Sequence, residues 1–210
     1  MIKDYPKLES PFIREGKKAG YVCNGKINPE YKWVFESKEC FAVDKIDGTN
    51  VSIIIKDGKI VRVFNRTNEK YVTPLKVMGA SRWEGACLEG LSKACQRGWL
   101  KDMGDGQHFG ELIGEIINGN RHKLAGHLWV PFEYLRNRCF WKSWSENKYP
   151  KDYESISNWF KDIPSLFNQK LGLEPIQAEG LVFYGKNEKG GWDKAKVRAD
   201  MFDWFKGRRH

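Results

Sequence analysis

The sequence lacks the cysteine patterns that mark a zinc site or a disulfide framework. Its five cysteines form no Cys-x-x-Cys pair, and their number is odd. Structural zinc sites need closely spaced ligands, and disulfide-stabilised secreted domains usually carry an even number of cysteines. We therefore expect reduced thiols in an intracellular protein, most of them buried as small apolar side chains. These residues are Cys23, Cys40, Cys87, Cys95 and Cys139.

Long apolar runs are also missing. No stretch approaches the roughly 18–20 apolar residues that span a bilayer, and the N-terminus has no apolar core of a signal peptide. We therefore expect a cytoplasmic protein without a membrane partner. The histidines lack the spacing of metal ligands, and we assign them no role: His108, His122, His127 and His210.

Positive charge is what the chain has in excess. Lys and Arg number 36 against 27 Asp and Glu, which gives a formal net charge of +9. Such an excess favours a polyanionic partner, because Lys and Arg neutralise phosphates and release counterions. Charge alone is equally compatible with a basic protein that binds no nucleic acid.

Alternating residues after position 40 predict strands. The run Phe41–Lys45 is followed by an Asp-Gly break at positions 47–48, and apolar residues resume over 51–55. A second Asp-Gly pair at 57–58 precedes another β-branched run over 60–64. Two such runs around an Asp-Gly turn are a strong signal for a β-hairpin.

The remaining pattern predicts a mixture of strands and two helices in one domain spanning residues 1–210. Residues 1–30 are rich in Pro, Gly and Lys and predict loops with short elements. Apolar residues at helical spacing predict helices over 82–98 and about 153–171. We expect further strands at 108–117, 127–135, 181–184 and 194–197. This order predicts an α+β domain with a mostly antiparallel sheet flanked by helices.

One short segment has the composition of a nucleophilic site. Lys45-Ile46-Asp47-Gly48-Thr49-Asn50 places a lysine at the end of a strand, just before a turn. A lysine that acts as a nucleophile must lose its proton, which nearby cations or burial promote. A solvated lysine beside an ordinary Asp-Gly turn is the alternative.

Five further fragments follow this segment in order. Each is weak alone, but an ordered set is much harder to obtain by accident. They are Phe64-Asn65-Arg66, Phe109-Gly110-Glu111-Leu112-Ile113-Gly114, Val130-Pro131-Phe132-Glu133-Tyr134, Glu179-Gly180-Leu181-Val182-Phe183 and Lys194-Ala195-Lys196.

The ordered set resembles the covalent nucleotidyltransferase superfamily of RNA ligases, DNA ligases and mRNA capping enzymes, over residues 40–198. It looks closest to the RNA-ligase branch. Asn50 stands where DNA ligases and capping enzymes usually carry Arg, and residues 110–124 are similar to the glycine-rich segment of phage and bacterial RNA ligases. Residues 6–14 resemble that branch more loosely. The resemblance implies an ATP-grasp-like adenylyltransferase domain.

The resemblance also implies roles in binding ATP. Lys45 would form the lysyl–AMP intermediate, and Asp44 would help to accept the adenine amino group. Asn50 and Arg66 would hold phosphate oxygens. The residues implied around the nucleoside are Glu111 at the ribose hydroxyls, and Phe132 and Val182 on the two sides of the adenine.

A second group would act on the phosphates and the metal. Glu133 and Glu179 would organise a divalent cation, Mg²⁺ or Mn²⁺, partly through its waters, and carboxylates suit such a hard ion. Lys194 and Lys196 would contact the α-phosphate. Without the resemblance, these two lysines would be the solvated face of a half-exposed strand, Phe132 a core residue and Glu111 a turn residue.

The chain departs from its larger relatives after the last fragment. Residues 197–210 are too few for another domain, so we expect no OB domain. RNA strands with 5′-phosphate and 3′-hydroxyl ends, in a nicked duplex or otherwise, would then bind a basic surface of this domain or of a protein partner. The candidate basic residues are Lys17, Lys18, Arg136, Arg138, Lys142, Arg208 and Arg209.

We therefore expect an ATP-dependent RNA ligase, which adenylates itself, transfers AMP to a 5′-phosphate and seals the strand to a 3′-hydroxyl. A minimal ATP-dependent DNA ligase uses the same chemistry and is the first alternative. The second is a non-catalytic nucleic-acid-binding module with a degenerate nucleotide pocket, which would not become covalently labelled by ATP.

Overall fold

Every pair of strands in the described part of the chain is antiparallel, which confirms the α+β class with antiparallel sheets. The computed structural model describes residues 2–16, 21–70, 82–141 and 151–207. The strands are β1 (Phe12–Glu15), β2 (Val22–Ile27), β3 (Phe41–Lys45), β4 (Thr49–Lys56), β5 (Lys59–Asn65), β6 (Asn68–Lys70), β7 (Gly106–Gly114), β8 (His127–Pro131), β9 (Phe140–Trp141), β10 (Gly180–Lys186) and β11 (Trp192–Arg198). The helices are α1 (Trp33–Glu36), α2 (Arg82–Gln96), α3 (Phe132–Arg138), α4 (Tyr153–Phe160) and α5 (Leu166–Leu171).

The described residues divide into two units, each with its own sheet and core. The first is called here the five-stranded unit and comprises Met1–Pro6, Asp47–Arg138 and Gly172–Glu174. The second, the four-stranded unit, comprises Lys7–Ile46, Cys139–Leu171 and Pro175–His210. The prediction of one functional domain over 1–210 stays a prediction.

The five-stranded unit contains the predicted hairpin. Its strand order is β6-β5-β4-β7-β8. Asp57 (φ 50°) and Gly58 (φ 69°) both have positive φ between β4 and β5, as a type I′ turn requires. Helix α2, which confirms the helix predicted over 82–98, covers this sheet, and its buried residues share a core with Val51, Ile53 and Trp129.

The four-stranded unit has the strand order β11-β10-β3-β9 and a separate two-stranded sheet, β1-β2. Its core is formed by one face of the larger sheet together with α4 and α5. Ala42, Phe183 and Val197 from three strands are fully buried there with Phe160 of α4, and Leu166 of α5 packs against them. The strands predicted at 181–184 and 194–197 are confirmed as the central parts of β10 and β11.

Two predicted elements were wrong, and proline accounts for both. The strand predicted over 127–135 ends at Pro131, and α3 begins at Phe132. Proline has no N–H for a further ladder bond, and Glu133 in the first turn suits the positive helix N-terminus. The helix predicted over 153–171 is interrupted between α4 and α5, because Pro164 disfavours helical backbone at the residue before it.

Smaller features agree with the sequence in part. The strand predicted over 108–117 ends earlier, at Gly114, whose φ of 139° is accessible to glycine. The five cysteines are free, and all but Cys95 are buried. Within the described residues, no helix has both the length and the apolar composition that a membrane span requires.

Two glycines of α2 provide a matched test of this packing. A Cβ at Gly90 would lie 2.6 Å from Leu112 Cδ1 and 2.9 Å from the backbone nitrogen of Trp129, whereas a Cβ at Gly85 would meet nothing within 4 Å. We expect Gly85→Ala to stabilise the protein by about 0.5–1 kcal/mol, because alanine has the higher helix propensity. Gly90→Ala should destabilise it by about 1–3 kcal/mol through overpacking. Urea unfolding of both variants checks this, and equal effects would contradict the close helix–sheet contact.

Candidate active site

The outer face of the four-stranded sheet gathers most of the predicted catalytic residues. Lys45 on β3 is opposite Gly180 on β10, and Gly180 is opposite Arg198 on β11. In the next row, Val182 lies between Val43 and Lys196. Side chains in register share a face, and residues two apart along a strand do so too. Lys45, Val182, Lys194 and Lys196 therefore lie on one face, with Arg198.

Lys45 is held by a carboxylate. Its Nζ donates to Oε1 of Glu179 at 2.9 Å and to Oε2 at 2.7 Å. The side chains keep 22% and 16% of their accessible surface, respectively, so water reaches the pair only in part. An ammonium bound in this way has no free lone pair. Attack on a phosphorus atom therefore requires that the proton is lost and that the pair loosens.

Lys196 is the most perturbed cation of this face. Burial, and then the like charges of Lys45 and Arg198, lower its pKa from 10.5 to about 8, while Glu179 raises it. Its backbone N–H donates to the carbonyl of Glu9 at 2.8 Å, which ties the edge of β11 to the N-terminal segment. A desolvated cation beside Lys45 is well placed to gain energy from a bound phosphate.

Gly180 has to be glycine for this face to form. A Cβ at this position would lie 2.3 Å from the carbonyl oxygen of Val197 and 2.9 Å from Cα of Arg198. Because Gly180 stands between Lys45 and Arg198 in register, its missing side chain also leaves open the space between these two cations.

Asp44 lies on the opposite face of β3 from Lys45, because adjacent residues of a strand alternate. It is buried, and its Oδ2 accepts hydrogen bonds from Ser165 Oγ at 2.8 Å and from the Phe167 N–H at 2.9 Å. Burial raises its pKa from 3.8 to about 6, against these hydrogen bonds. Its Oδ1 is buried and has no partner in the described structure. The predicted adenine contact stays a prediction, and the observed contacts tie α5 to β3.

In the five-stranded unit, Asn50 and Glu111 are cross-strand partners of β4 and β7. The Oδ1 atom of Asn50 is buried without a hydrogen-bond partner among the described residues. A Cβ at Gly48 would lie 2.5 Å from Cγ of Glu111 and 2.5 Å from the backbone oxygen of Leu112, so only glycine lets the chain pass this close to β7. These two predicted nucleotide-binding residues are therefore brought together.

Phe132 and Glu133 form the first turn of α3. The Phe132 ring lies against Tyr5, with 4.6 Å between the ring centroids. Glu133 Oε1 is 3.7 Å from Nδ1 of His108, and its Oε2 is buried without a partner in the described part of the chain. Sequence reasoning missed Tyr5, which packs on one side of the ring predicted to stack on adenine.

Arg66 stands apart in the turn after β5. Its φ of 55° is unusual for a residue with a side chain. The guanidinium is largely exposed and reaches Asp4 Oδ2 at 3.4 Å. Arg66 begins the two-residue turn between the paired residues Asn65 and Asn68, and such tight hairpin turns favour a positive φ at this position. Its ion pair is long and weak.

Sequence reasoning also missed two residues that hold the Asp-Gly turn after Lys45. His122 is buried, and its Nε2 accepts the N–H of Asp47 at 3.1 Å. Asn118 Nδ2 donates to Asp47 Oδ1 at 2.9 Å and to the Gly48 carbonyl at 2.8 Å. Both belong to the segment 110–124, but no local pattern marked either as a partner of the turn.

No group of three or more potential metal ligands occurs in the ranges that the structure describes. Arg136 and Arg138 form the last turn of α3, where cations suit the helix C-terminus. The other candidates lie outside the described residues: Lys17, Lys18, Lys142, Arg208 and Arg209.

Comparison with known proteins gives structural matches only. No protein-family model matches the chain, and no curated protein matches it. It is similar to a structure of Naegleria gruberi RNA ligase with PPi, with a TM-score of 0.51 and 20% identity over 92% of this chain and 60% of that chain. A variant of that ligase with ATP and Mn gives the same TM-score and identity over 95% and 62%.

This likeness shows that the chain has the fold of those RNA ligase structures. The chain spans about 60% of the length of the first of them. At 20% identity the likeness carries no residue roles.

The buried carboxyl of Asp44 predicts a specific pH dependence of stability. The folded state holds this proton up to about pH 6, whereas the unfolded chain loses it near 3.8. The contribution of the Asp44 carboxyl to the free energy of unfolding is therefore fully present below pH 3.8 and is lost as the pH rises through 6. We expect Asp44→Asn, whose amide oxygen can still accept from Ser165 and Phe167, to gain up to about 3 kcal/mol relative to the unmodified protein between pH 4 and 8.

Urea unfolding across that pH range measures the difference. Asp193→Asn, at an exposed position on β11, is the control and should follow the unmodified protein at every pH. Parallel curves for Asp44→Asn and the unmodified protein would show that Asp44 does not titrate in this window.

Proposed function

We propose that this protein is an ATP-dependent RNA ligase in which Lys45 carries AMP. The observation that carries the proposal is the contact of Lys45 with Glu179 on a sheet face that also holds Lys196 and Arg198. The RNA ligase fold supports it. A paired lysine beside a glutamate is common, but a lysine surrounded by further desolvated cations suits a reaction on phosphate.

In the first step, Nζ of Lys45 attacks the α-phosphorus of ATP. A P–N bond forms, the bond between the α-phosphorus and the bridging oxygen breaks, and pyrophosphate leaves with that electron pair. The ammonium loses one proton before the attack, and the nitrogen loses a second as the P–N bond forms; solvent or a nearby base takes up both. Glu179 is the nearest base, since both of its oxygens already accept hydrogen bonds from this nitrogen.

The cations of the face would stabilise the charge that develops on the phosphate. Phosphoryl and nucleotidyl transfer depend mainly on positioning and charge neutralisation. At neutral pH Lys196 is still largely protonated, since its pKa is about 8. A bound phosphate adds negative charge and would hold the proton on Lys196 more firmly. Lys194, on the same face, would add a second contact.

A divalent cation fits the carboxylates that the sequence proposed. The Oε2 atom of Glu133 is buried without a partner among the described residues, and such an orphaned oxygen suits a hard cation. Glu179 is the second carboxylate proposed to bind a cation. Cation binding would weaken the hydrogen bonds between Glu179 and Lys45. The metal would supply charge neutralisation at the phosphates. Mn accompanies ATP in the ligase variant to which this chain is similar, and Mg²⁺ has the same preference for oxygen.

The five-stranded unit would bind the nucleoside and the outer phosphates. Glu111 would accept the ribose hydroxyls, and Phe132 would stack on adenine. Val182 is the second residue that the sequence assigns to the adenine. Asn50 and Arg66 would donate to phosphate oxygens. The unpartnered Oδ1 of Asn50 supports a ligand at that side chain, although as an acceptor it would face a donor or a cation rather than phosphate.

The later steps would transfer AMP to a 5′-phosphate and displace it with a 3′-hydroxyl. RNA is the proposed strand, because the similar structures are RNA ligases. Nicked duplexes and a protein partner with additional strand-binding surface belong to the same proposal. A minimal DNA ligase would differ in the strands that it seals, and a non-catalytic module would bind ATP without covalent labelling.

Labelling with [α-³²P]ATP and a divalent cation tests the first step. We expect a covalent adduct with the unmodified protein and no detectable adduct with Lys45→Ala, since the nucleophile is absent. Lys56→Ala is the matched control, because Lys56 is an exposed lysine at the end of β4 and should label normally. Pyrophosphate should release the label as ATP. Labelling of Lys45→Ala at the normal rate would contradict the assignment.

A further inference from the structure

Exposed apolar side chains are concentrated at one place in the described structure. Its four exposed large apolar residues are Ile13, Tyr21, Ile27 and Val61. Ile13 belongs to β1, Ile27 ends β2, and Tyr21 directly precedes β2. The two-stranded sheet of the four-stranded unit therefore exposes three of the four, and single exposed apolar residues elsewhere need no explanation.

Two of these residues, Ile13 and Tyr21, line a cleft of about 350 Å³. This volume falls at the lower end of the range for small-ligand sites and suits one nucleotide rather than a larger molecule. The lining includes hydrogen-bonding groups as well as apolar ones. The lining residues include Glu9, Ser10, Ile13, Arg14, Tyr21 and Tyr31.

Arg14 organises the aromatic side of the cleft. Its guanidinium lies over the Tyr21 ring, 5.1 Å from the centroid, and forms an ion pair with the carboxylate of Glu9. Tyr21 is also exposed, at 51%. Nucleic-acid bases stack on exposed aromatic rings, and arginine adds cation–π attraction.

The cleft is attached to the candidate catalytic face. The carbonyl of Glu9 accepts the N–H of Lys196 at 2.8 Å, and Arg14 is among the charges that lower the pKa of Lys196. Lys196 is on the edge strand β11, two strands from Lys45 on β3. Neighbouring strands are about 4.8 Å apart, so the edge lies about 10 Å from the strand of Lys45. The cleft therefore lies next to the strand of Lys194 and Lys196, the residues proposed to contact the α-phosphate, and a nucleotide of the RNA strand can bind there beside the AMP.

We infer that this cleft binds one nucleotide of the RNA strand close to the junction, with its base stacked on Tyr21 and Arg14 near its backbone phosphate. The inference rests on the proposed function and adds a strand-binding site that ATP does not use. The polyanionic strand also matches the net charge of +9.

Direct binding of a fluorescein-labelled single-stranded RNA, followed by anisotropy, tests the site without catalysis. Tyr21→Ala removes the ring, Tyr21→Phe keeps it, and Val61→Ala removes an apolar residue that is equally exposed, at 51%. Loss of one stacked base should weaken binding by about five- to 150-fold for Tyr21→Ala. Tyr21→Phe and Val61→Ala should bind within about twofold of the unmodified protein. Equal affinities for all four proteins would overturn the inference.

An abasic scan identifies the nucleotide with the unmodified protein alone. One abasic residue is placed at successive positions on either side of the junction, and joining is divided by the rate of self-adenylation with ATP. One position should show a loss comparable to that of Tyr21→Ala, and the two losses should not add when combined. Additive losses, or a scan without a sensitive position, would overturn the site.

Failure of the cleft and failure of the proposed function give different results. If the unmodified protein neither labels with ATP nor joins strands, the proposed function is wrong. If it does both while Tyr21→Ala binds and joins RNA normally, only the cleft is wrong. A change of oligomeric state in Tyr21→Ala, measured by sedimentation, would assign the exposed residues to a contact between copies and overturn the RNA site.

Discussion

The ammonium of Lys45 donates to both oxygens of Glu179, and the arrangement of the candidate active site depends on this pair. Glu179 directly precedes Gly180, which is the cross-strand partner of Lys45, so the register of β3 and β10 brings the two charges together. The ion pair orients the amine and at the same time favours its protonated, non-nucleophilic form. A partly buried ion pair is weak evidence for stability, and under the proposed function its importance is chemical.

The cations beside this pair repel one another when no anion is bound. Lys45, Lys196 and Arg198 share one face, and their mutual repulsion adds to the burial that lowers the pKa of Lys196 to about 8. Asp200, 3.0 Å from Arg198, offsets part of the charge. A phosphate at this face would relieve the repulsion. Ionisable groups with shifted pKa values cluster at functional sites, because binding and catalysis depend on such shifts.

Much of the fold could be predicted from local signals. The Asp57-Gly58 dipeptide predicted the turn, and apolar residues at helical spacing predicted α2. Strand alternation predicted that Lys194 and Lys196 alternate with the buried Ala195 and Val197. The errors have a common origin, since the apolar runs around Pro131 and Pro164 continued past residues that cannot extend the element. Long-range partners were beyond local reasoning.

The candidate site likewise combines residues that the sequence indicated with contacts that it did not. Lys45 and Glu179, 134 residues apart, are in contact, and the ordered set of fragments named both without predicting the contact. Their roles stay predictions. The Asp47 N–H donates to His122, and the Gly48 carbonyl accepts from Asn118. Neither hydrogen bond had a local signal, because each joins residues 70 or more positions apart.

Peptide mapping by mass spectrometry tests the central claim most directly. The protein is incubated with ATP and a divalent cation, digested, and each peptide is examined for covalently attached AMP. The proposal predicts AMP on Nζ of Lys45 and on no other residue. AMP attached to a different side chain, or ATP that binds without any covalent attachment, would contradict it.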